Sequence, residues 1–596
     1  MIKSVYQRMS AVQILSVTSV TLCLLVDSIM IGRFIGVDAM SAYGIANPLL
    51  IIFTALGAML ANGVQVGIAS AMGKGDRQQC SGIFSTSVVT SLVLAAFWLI
   101  LIFAAANPLC SLLGAQPGTD IFKMTADYLR GFIIGAPFYF LSQIMLPYMQ
   151  IMGKRKLSTM SVVATAVTDV VLDVLSITVF HAGLFGIGLA SSLSYLAAFL
   201  TGIAFFLKKG HPFRFKLKSV NFKIVKGIVF KGSPILVNQA FFTIRTYVLN
   251  LILLSVSGTI AVAAYSVVNT VGNIFFSIGL GAGGVAMMLG SIFYSEEDRS
   301  SIFELVRVML KMPMLLIIGI VVITEFFAKW VIVLFLGSAP EVLQIAVPGL
   351  RIFIASCIPM VANGIFKNYF QGIGKMKYTN LIAFFENVAF PIGFSLVLCN
   401  IIGLTGAWIA AVLGEIFSLL VICILAWKNN GKVAFSAQAF SMLDRNFGAS
   451  PENVFEASAF DTDSVIAASK EILQFCEQKN RSQREAMLNS LVVEELAMNI
   501  LKHGFTNDSR QHVIQIRLVL DEEKSLVRIR DNCVLFDPTS YMDFHEGSDP
   551  TEHIGIRLVM KAADEVSYTN LLGLNNLYIR TRLKKNKEAA VAEGGV

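Results

Sequence analysis

The feature that most constrains this chain is a succession of about twelve apolar runs. Each is near the ~20 residues an α-helix needs to cross a ~30 Å hydrocarbon layer. They fall at roughly 10–32, 46–72, 84–106, 128–151, 158–181 and 186–207, and then at roughly 232–256, 262–292, 311–336, 344–371, 379–402 and 404–427. The runs are continuously apolar rather than alternating, so they predict helices and not a β-barrel. Only 14% of the 596 residues are charged, against about 25% in soluble domains, and this excludes a purely water-soluble enzyme.

Charge divides the chain in two. Residues 1–430 hold 28 Lys and Arg against 15 Asp and Glu, whereas residues 431–596 hold 19 against 24. The first part has the sparse, basic-biased charge of a membrane protein, and the second has the density of an ordinary soluble domain. Basic residues concentrate in alternate loops: Lys74 and Arg77, Lys154-Arg155-Lys156, the stretch from Lys208 to Lys231, and Lys375 with Lys377. By the positive-inside rule these loops are cytoplasmic, as are both termini. The basic excess thus reads as topology, with no nucleic-acid partner expected. The expected organisation is an N-lobe (1–207), a basic cytoplasmic connector (208–231), a C-lobe (232–430), a linker (431–450) and a cytoplasmic domain (451–590). The eight cysteines lie singly, which predicts neither a disulfide framework nor a zinc site.

The two lobes repeat each other. At a shift of 222 residues Gly36 falls on Gly258, Ala39 on Ala261, Ala42-Tyr43 on Ala264-Tyr265, Asn47 on Asn269, and Asp76-Arg77 on Asp298-Arg299. Six spans per half with cytoplasmic ends make parallel repeats, a plan typical of transporters that bind substrate between two lobes. The Gly279-Leu-Gly281-Ala-Gly283-Gly284 stretch lies inside an apolar run and predicts close helix packing rather than a phosphate loop.

Ionisable groups inside a span are costly and are functional candidates by default. Asp27 ends the first run. Asp169 and Asp173 lie in the fifth, four residues apart and so on one helix face. Two carboxylates together in low dielectric cannot both stay charged unless a cation lies between them. Oxygen donors of this kind suit a proton or a hard ion. Arg245, Arg351, Glu386 and Glu415 are further candidates.

The segments ValAspSerIleMetIleGlyArgPheIleGly (26–36), AlaMetSerAlaTyrGlyIleAlaAsnProLeu (39–49) and MetGlyLysGlyAsp (72–76) resemble the multidrug and toxic compound extrusion (MATE) transporters. The resemblance covers about 1–430. It implies an antiporter that expels organic cations or other amphiphiles in exchange for Na⁺ or H⁺. Asp27 then matches the family's first-helix Asp, and Asp173 the Asp of an AsnxxxAsp pattern in which Asp169 replaces the Asn. Ser194 stands near a family Thr. Flippases for lipid-linked precursors share the superfamily and are the alternative within it.

Beyond about 445 the pattern becomes that of an α/β two-layer sandwich. ThrAspSerVal (462–465) opens a helix to about 479, and a second helix over about 483–504 carries GluGluLeuAlaMetAsnIleLeuLysHis. Strands are expected at 512–520, 525–531 and near 576–583, with a helix from about 554. Glu495 and Asn499 share one helix face, Asp531 ends a strand, and HisIleGlyIleArgLeuVal (553–559) opens a helix whose N–H groups suit phosphate. This order is similar to the GHKL ATPases, close to the anti-sigma-factor serine kinases. The resemblance implies ATP and Mg²⁺, with Glu495 as general base, Asn499 on Mg²⁺, Asp531 on the adenine amino group, and Lys502, His503 and Gly555 at the nucleotide. Cys533 replaces the glycine of the AspxGly box and His553 the first glycine of GlyxGly, so a Cβ at either position could crowd the nucleotide.

The expectation is therefore an all-α polytopic protein of the cytoplasmic membrane, surrounded by lipid. It pairs a small-molecule antiporter with a cytoplasmic ATP-binding domain that regulates it, and the domain has a cytoplasmic regulatory protein as a further partner. The alternative from a different class is a membrane-tethered serine/threonine kinase with the transporter half as its sensor.

Overall fold

The computed structural model describes residues 1–207, 213–336, 340–430, 436–506, 512–521, 524–535, 537 and 554–582. His553 and the Lys208-Lys209 pair lie outside them. The chain forms two compact units, one from Ile2 to Leu443 and one from Asp444 onward.

The first unit is helical. Its N-terminal half runs α1 (Ile2–Met30), α2 (Val37–Gly73), α3 (Arg77–Leu112), α4 (Asp120–Ile133), α5 (Ala136–Ile151), α6 (Arg155–Thr178) and α7 (Gly183–Phe206). The second half begins with α8 (Phe222–Ser295), broken at Gly258, and continues with α9 (Arg299–Met309), α10 (Lys311–Leu336), α11 (Pro340–Ile354) and α12 (Cys357–Gly372). It ends with α13 (Met376–Phe384), α14 (Phe390–Ile402), α15 (Leu404–Asn430) and the short α16 (Ala437–Phe440). Among the described residues nine helices are long and apolar enough to span a membrane, and eleven if the bent pairs α4–α5 and α11–α12 each count once. At 29 residues α1 has the length of one further span, in line with the twelve runs in the sequence. The last ten residues of the expected connector belong to α8.

Two of the matched pairs in the internal repeat have a structural cause. Gly36 and Gly258 both take positive φ, at 124° and 71°, where a Cβ would strain the backbone. Each glycine breaks the chain before the second span of its half. Asp76 and Asp298 are equivalent N-caps, each accepting from an N3 amide, Gln79 N–H at 2.8 Å and Ser301 N–H at 2.9 Å.

Breaks inside spans have their polar groups met by neighbours. At the 48° bend between α4 and α5, Gly135 N–H donates to Ser192 Oγ at 2.8 Å, and that hydroxyl contacts the Gly131 and Phe132 carbonyls. Pro137 sits in the first turn of α5, where a missing N–H costs little, whereas Pro391 follows the π-helical turn Phe385–Ala389 inside the continuous span Met376–Ile402. Pro147 lies inside α5.

Small residues set the helix crossings. A Cβ on Gly281 would meet Ile14 Cα at 2.6 Å, and one on Gly283 the Asn368 side chain at 2.7 Å, so the glycine-rich stretch serves packing. Across α2 and α8 the approach is reciprocal. A Cβ on Gly63 would lie 2.1 Å from the Ile228 carbonyl oxygen, and one on Gly232 2.0 Å from that of Met59. Gly232→Val is expected to force this crossing apart and cost about 1–3 kcal/mol, as overpacking does. A lowered melting temperature of the purified protein in detergent checks this, with Gly227→Val, where a Cβ meets nothing within 4 Å, as the control.

The second unit contains β1 (Val454–Ala459), α17 (Thr462–Gln478), α18 (Gln483–Gly504), β2 (Ile514–Leu520), β3 (Lys524–Asp531), α19 (Ile554–Ala562), β4 (Glu565–Leu571) and β5 (Leu574–Arg582). The strands form one antiparallel sheet in the order β1-β2-β3-β5-β4. Val465 and Ile472 of α17, Val493 and Leu496 of α18 and Val559 of α19 pack with Ile516, Leu518, Val527 and Ile529 of the sheet. This is the expected two-layer sandwich. Its compact unit reaches back to Asp444 while its first strand starts at Val454, and it holds two edge strands, β1 and β4, that the sequence pattern did not disclose.

Candidate functional site

Two sets of polar side chains stand out, one in each unit. In the membrane unit Asp27 near the end of α1 and Asp169 and Asp173 on α6 are all buried, with Asp173 fully so. The helical spacing of the α6 pair puts both carboxyls on the face that packs on α1. The Asp27 carboxyl lies within hydrogen-bonding reach of Asp173 and close to Asp169. Both oxygens of Asp173, Oδ1 of Asp27 and Oδ1 of Asp169 find no hydrogen-bond donor among the described residues. Carboxyl facing carboxyl with no donor between them is an arrangement that a proton or a cation completes. The described residues contain no group of three His, Cys, Asp or Glu side chains close enough to form a ready metal cage.

Ser191 and Ser194 of α7 flank Asp169; Ser194 is buried and its hydroxyl donates to the Ser191 carbonyl at 2.8 Å. Aromatic rings line the same region. Tyr43 meets Tyr128 edge-on at 5.4 Å, Tyr139 meets Tyr195 at 4.8 Å, and Phe132 meets Tyr195 at 6.1 Å. Tyr128 and Tyr195 both feel Asp27 and Asp169 electrostatically. Buried acids beside ring faces are the chemistry that receives an organic cation.

The C-terminal half of this unit holds a polar network that sequence reasoning found only in part. Lys367 of α12 pairs with Glu386 in the π-helical turn between α13 and α14. Asn238 Oδ1 accepts from Lys367 Nζ at 3.3 Å and from Asn387 Nδ2 at 3.2 Å. Asn363 Nδ2 donates to Glu415 Oε2 at 2.9 Å. Lys367 was missed, although a lysine within the 344–371 run is itself a signal. Arg351 is accounted for by its half-exposed pairing with Glu325 at 3.5 Å.

In the second unit α18 presents Glu495 and Asn499. The preceding Glu494 accepts from Ser469 of α17 at 2.9 Å, whereas the Glu495 carboxylate makes no hydrogen bond among the described residues. Asn499 Nδ2 is spent on the Glu495 backbone carbonyl at 2.7 Å, which leaves its amide oxygen as an acceptor suited to Mg²⁺. Lys502 and His503 are exposed one turn on. Asp531, at the end of β3, is 3% exposed, and its Oδ1 accepts from Cys533 N–H at 2.9 Å and Asn575 Nδ2 at 2.8 Å. Burial pushes this carboxyl above the usual carboxylate range, against the lowering effect of those donors.

Cys533 is accommodated without backbone strain, since its φ is not positive. Its side chain reaches the Asp531 carboxyl, and its Cβ would be 3.1 Å from a Cβ on Gly504. The thiol position therefore packs against the end of α18. Gly555 opens α19.

Comparison with known proteins places each unit in a family. The MatE family model matches residues 13–175 and 234–398, more than half of the chain and one match per lobe. A histidine kinase-like ATPase domain model matches residues 459–580. The chain is 24% identical over 393 residues to the multidrug export protein MepA of Staphylococcus saprophyticus, covering 65% of this chain and 84% of that protein. It is 23% identical over 419 residues to the probable multidrug resistance protein YoeA of Bacillus subtilis, covering 67% and 88%. Among solved structures, an outward-facing multidrug resistance MATE family transporter of the MOP superfamily superposes with a TM-score of 0.67 at 21% identity, covering 70% of this chain and 94% of that one. A MOP superfamily transporter from Pyrococcus furiosus gives 0.66 at the same identity and coverage. With two matched lobes and the twofold plan of its helices, the chain belongs to the MatE family and carries a histidine kinase-like ATPase domain at its C-terminal end.

Proposed function

We propose that this protein is a cation-coupled antiporter of the cytoplasmic membrane. It exports organic cations or other amphiphiles by alternating access of its two lobes, with both termini cytoplasmic. The observation that carries this reading is the buried trio Asp27, Asp169 and Asp173, whose facing oxygens lack donors among the described residues. Protonation neutralises the trio, and loss of the proton leaves a buried charge that costs several kcal/mol unless a cation takes its place. Proton and substrate cation then compete for one site, which is what exchange requires. Three carboxyls within reach of one another can share a proton directly, so H⁺ is taken ahead of Na⁺ as the coupling ion. The export of drugs by MepA supports a broad small-molecule substrate class.

The tail binds Mg-ATP in this reading, with Asn499 on the metal, Glu495 as base toward a water or hydroxyl, Asp531 on the adenine, and Lys502, His503 and Gly555 near the phosphates. It regulates the transporter, through its nucleotide state or a bound protein, and does not drive it. One nucleotide domain without a phosphate-loop motor suits sensing or phosphoryl transfer better than pumping. The kinase reading shares these residues. It gains support from the Glu495 carboxylate, which makes no hydrogen bond among the described residues while Glu494 is tied to α17.

The test uses membrane vesicles that hold the full chain or a chain ending after Leu443, loaded with a fluorescent organic cation. Transport in response to an imposed pH gradient, retained after truncation, is the expected result. Transport only with a sodium gradient would replace the coupling ion. Loss of all transport on truncation, in a folded membrane unit, would overturn the regulatory role of the tail.

A further inference from the structure

Residues 213–226, which join the two lobes, are held in place and yet take no part in the sites above. Phe213 is buried, with its ring 4.7 Å from that of Tyr148. Lys216 N–H donates to Ser85 Oγ of α3 at 2.9 Å, and Asn221 N–H to Thr86 Oγ1 at 3.3 Å. Asn221 then caps α8 by accepting from Lys223 N–H at 2.8 Å. One ring and two hydroxyls thus hold the segment as a strap against the N-terminal turns of α3. Its outer side is mixed. Phe215, Leu217 and Phe222 are exposed, Leu217 by 71% and Phe222 by 80%. They alternate with Arg214, Lys216, Lys218 and Lys223, which are exposed as well. The first turns of α8 continue the pattern. Ile224 lies against Gly82 and Ile228 against Gly63, while exposed Lys226 and Phe230 fall on the opposite face of the helix.

The cations of the strap have no acid to meet them. The sequence holds no Asp or Glu between Asp173 and Glu296. The side chains of Arg214, Lys216, Lys218, Lys223 and Lys226 make no ion pair or hydrogen bond among the described residues. Water alone would satisfy these cations, but it would leave Phe215, Leu217 and Phe222 exposed between them at a cost. The level of the strap decides between partners. The apolar span of α8 begins at Phe222, so the strap lies where hydrocarbon gives way to headgroups. At that level apolar side chains enter the acyl region, while lysine stems run outward and carry their ammonium groups to the phosphates. We infer that residues 214–226 bind the headgroups of anionic phospholipids. Each cation near such a surface strengthens the attraction by about fivefold. The inference does not depend on the antiporter reading.

The test titrates the purified full chain, in a neutral detergent, with acyl-labelled fluorescent phosphatidylglycerol and with phosphatidylcholine carrying the same label. The wild type is expected to prefer phosphatidylglycerol by about tenfold or more. Lys216→Gln, Lys218→Gln, Lys223→Gln and Lys226→Gln made together should abolish that preference, and the same four positions changed to Arg should keep it. Phe215→Ser with Leu217→Ser should weaken both lipids alike. A control removes the same charge from exposed cations elsewhere, with Lys3→Gln, Arg8→Gln, Lys156→Gln and Lys377→Gln together, and should leave the preference intact. A wild type without preference, a fourfold strap variant that keeps it, or a control that loses as much as the strap variant overturns the inference. Competition by millimolar inorganic phosphate that removes lipid binding would assign the cations to free phosphate and also overturn it. So would a strap variant with unchanged lipid binding and a lowered melting transition of the acidic tail, since the strap would then serve a protein surface. Melting curves separate loss of binding from loss of fold. If the fourfold variant melts early, Lys216→Gln with Lys218→Gln, and Lys223→Gln with Lys226→Gln, should each lose part of the preference. If neither pair does, the inference falls.

Discussion

Cells that produce the Asp173→Asn protein are expected to retain a fluorescent organic cation as fully as cells without the transporter, and Asp27→Asn is expected to do the same. The substitution is close to isosteric. It removes a buried carboxyl that finds no donor among the described residues, so the fold has little to lose. An amide adds a donor where the opposite carboxyl needs one, and it freezes the pair in the equivalent of its protonated form. That state can neither release a proton nor bind a cation. Export should fall by a hundredfold or more, since removing a charge used for exchange stops the cycle rather than slowing it. Asp169→Asn should be milder. Asp169 is supported by the serines of α7, and an Asn there restores the pattern that the MATE resemblance implies. Dye retention by energised cells, normalised to protein in the membrane, gives the ratio. Export by Asp173→Asn at even a tenth of the wild-type rate would remove Asp173 from the coupling site.

The legibility of these residues in the sequence follows from what each part of the fold has to satisfy. The membrane half announces itself because lipid demands long apolar runs, and an acid that interrupts one must have a use. Asp27, Asp169 and Asp173 could therefore be singled out before their contacts were known. What the runs could not show was which helices touch. The meeting of α1 with α6, and the seating of Lys367 on Glu386 beside Asn238, depend on crossings set by residues such as Gly63 and Gly232. Their glycine identity suggests close approach but names no partner.

In the tail the central strands were readable from alternating, β-branched sequence, as in IleGlnIleArgLeuValLeu (514–520). The edge strands were not. Val454–Ala459 and Glu565–Leu571 each pair on one side only, bury fewer side chains and carry Glu, Ser, Thr and Asn, so their pattern resembles that of loops. The stretch before the second unit is ambiguous for a related reason. Ser436 caps α16 and the Ser441 carbonyl accepts from Tyr369 at 2.9 Å, so a polar stretch that reads as linker belongs to the membrane unit.

Asp531→Asn should separate stability from nucleotide binding in the tail. Burial holds the Asp531 carboxyl above its ordinary range. A raised carboxyl contributes stability that is fully present below its unfolded pKa and is lost as pH rises through the folded value. At neutral pH the ionised Asp531 is therefore a cost, and Asn removes it. The Asn oxygen can still accept from Cys533 N–H and Asn575 Nδ2, the two bonds that now converge on Oδ1. Those bonds fix which way the amide faces, so its NH₂ takes the place of Oδ2. If Asp531 receives the adenine amino group, two donors then face each other. A hydrogen bond to a charged partner is worth about 1.5–3 kcal/mol, so Mg-ATP affinity should fall by roughly ten- to a hundredfold. The tail transition in the full chain should meanwhile melt no lower than the wild type at pH 7, and any advantage of Asn should shrink on acidification. Titration of a fluorescent ATP analogue, alongside melting curves at two pH values, reads both effects. Unchanged affinity with intact melting would mean that the Cys533 side chain has displaced the nucleotide from Asp531, leaving Glu495 and Asn499 to a partner protein rather than to ATP.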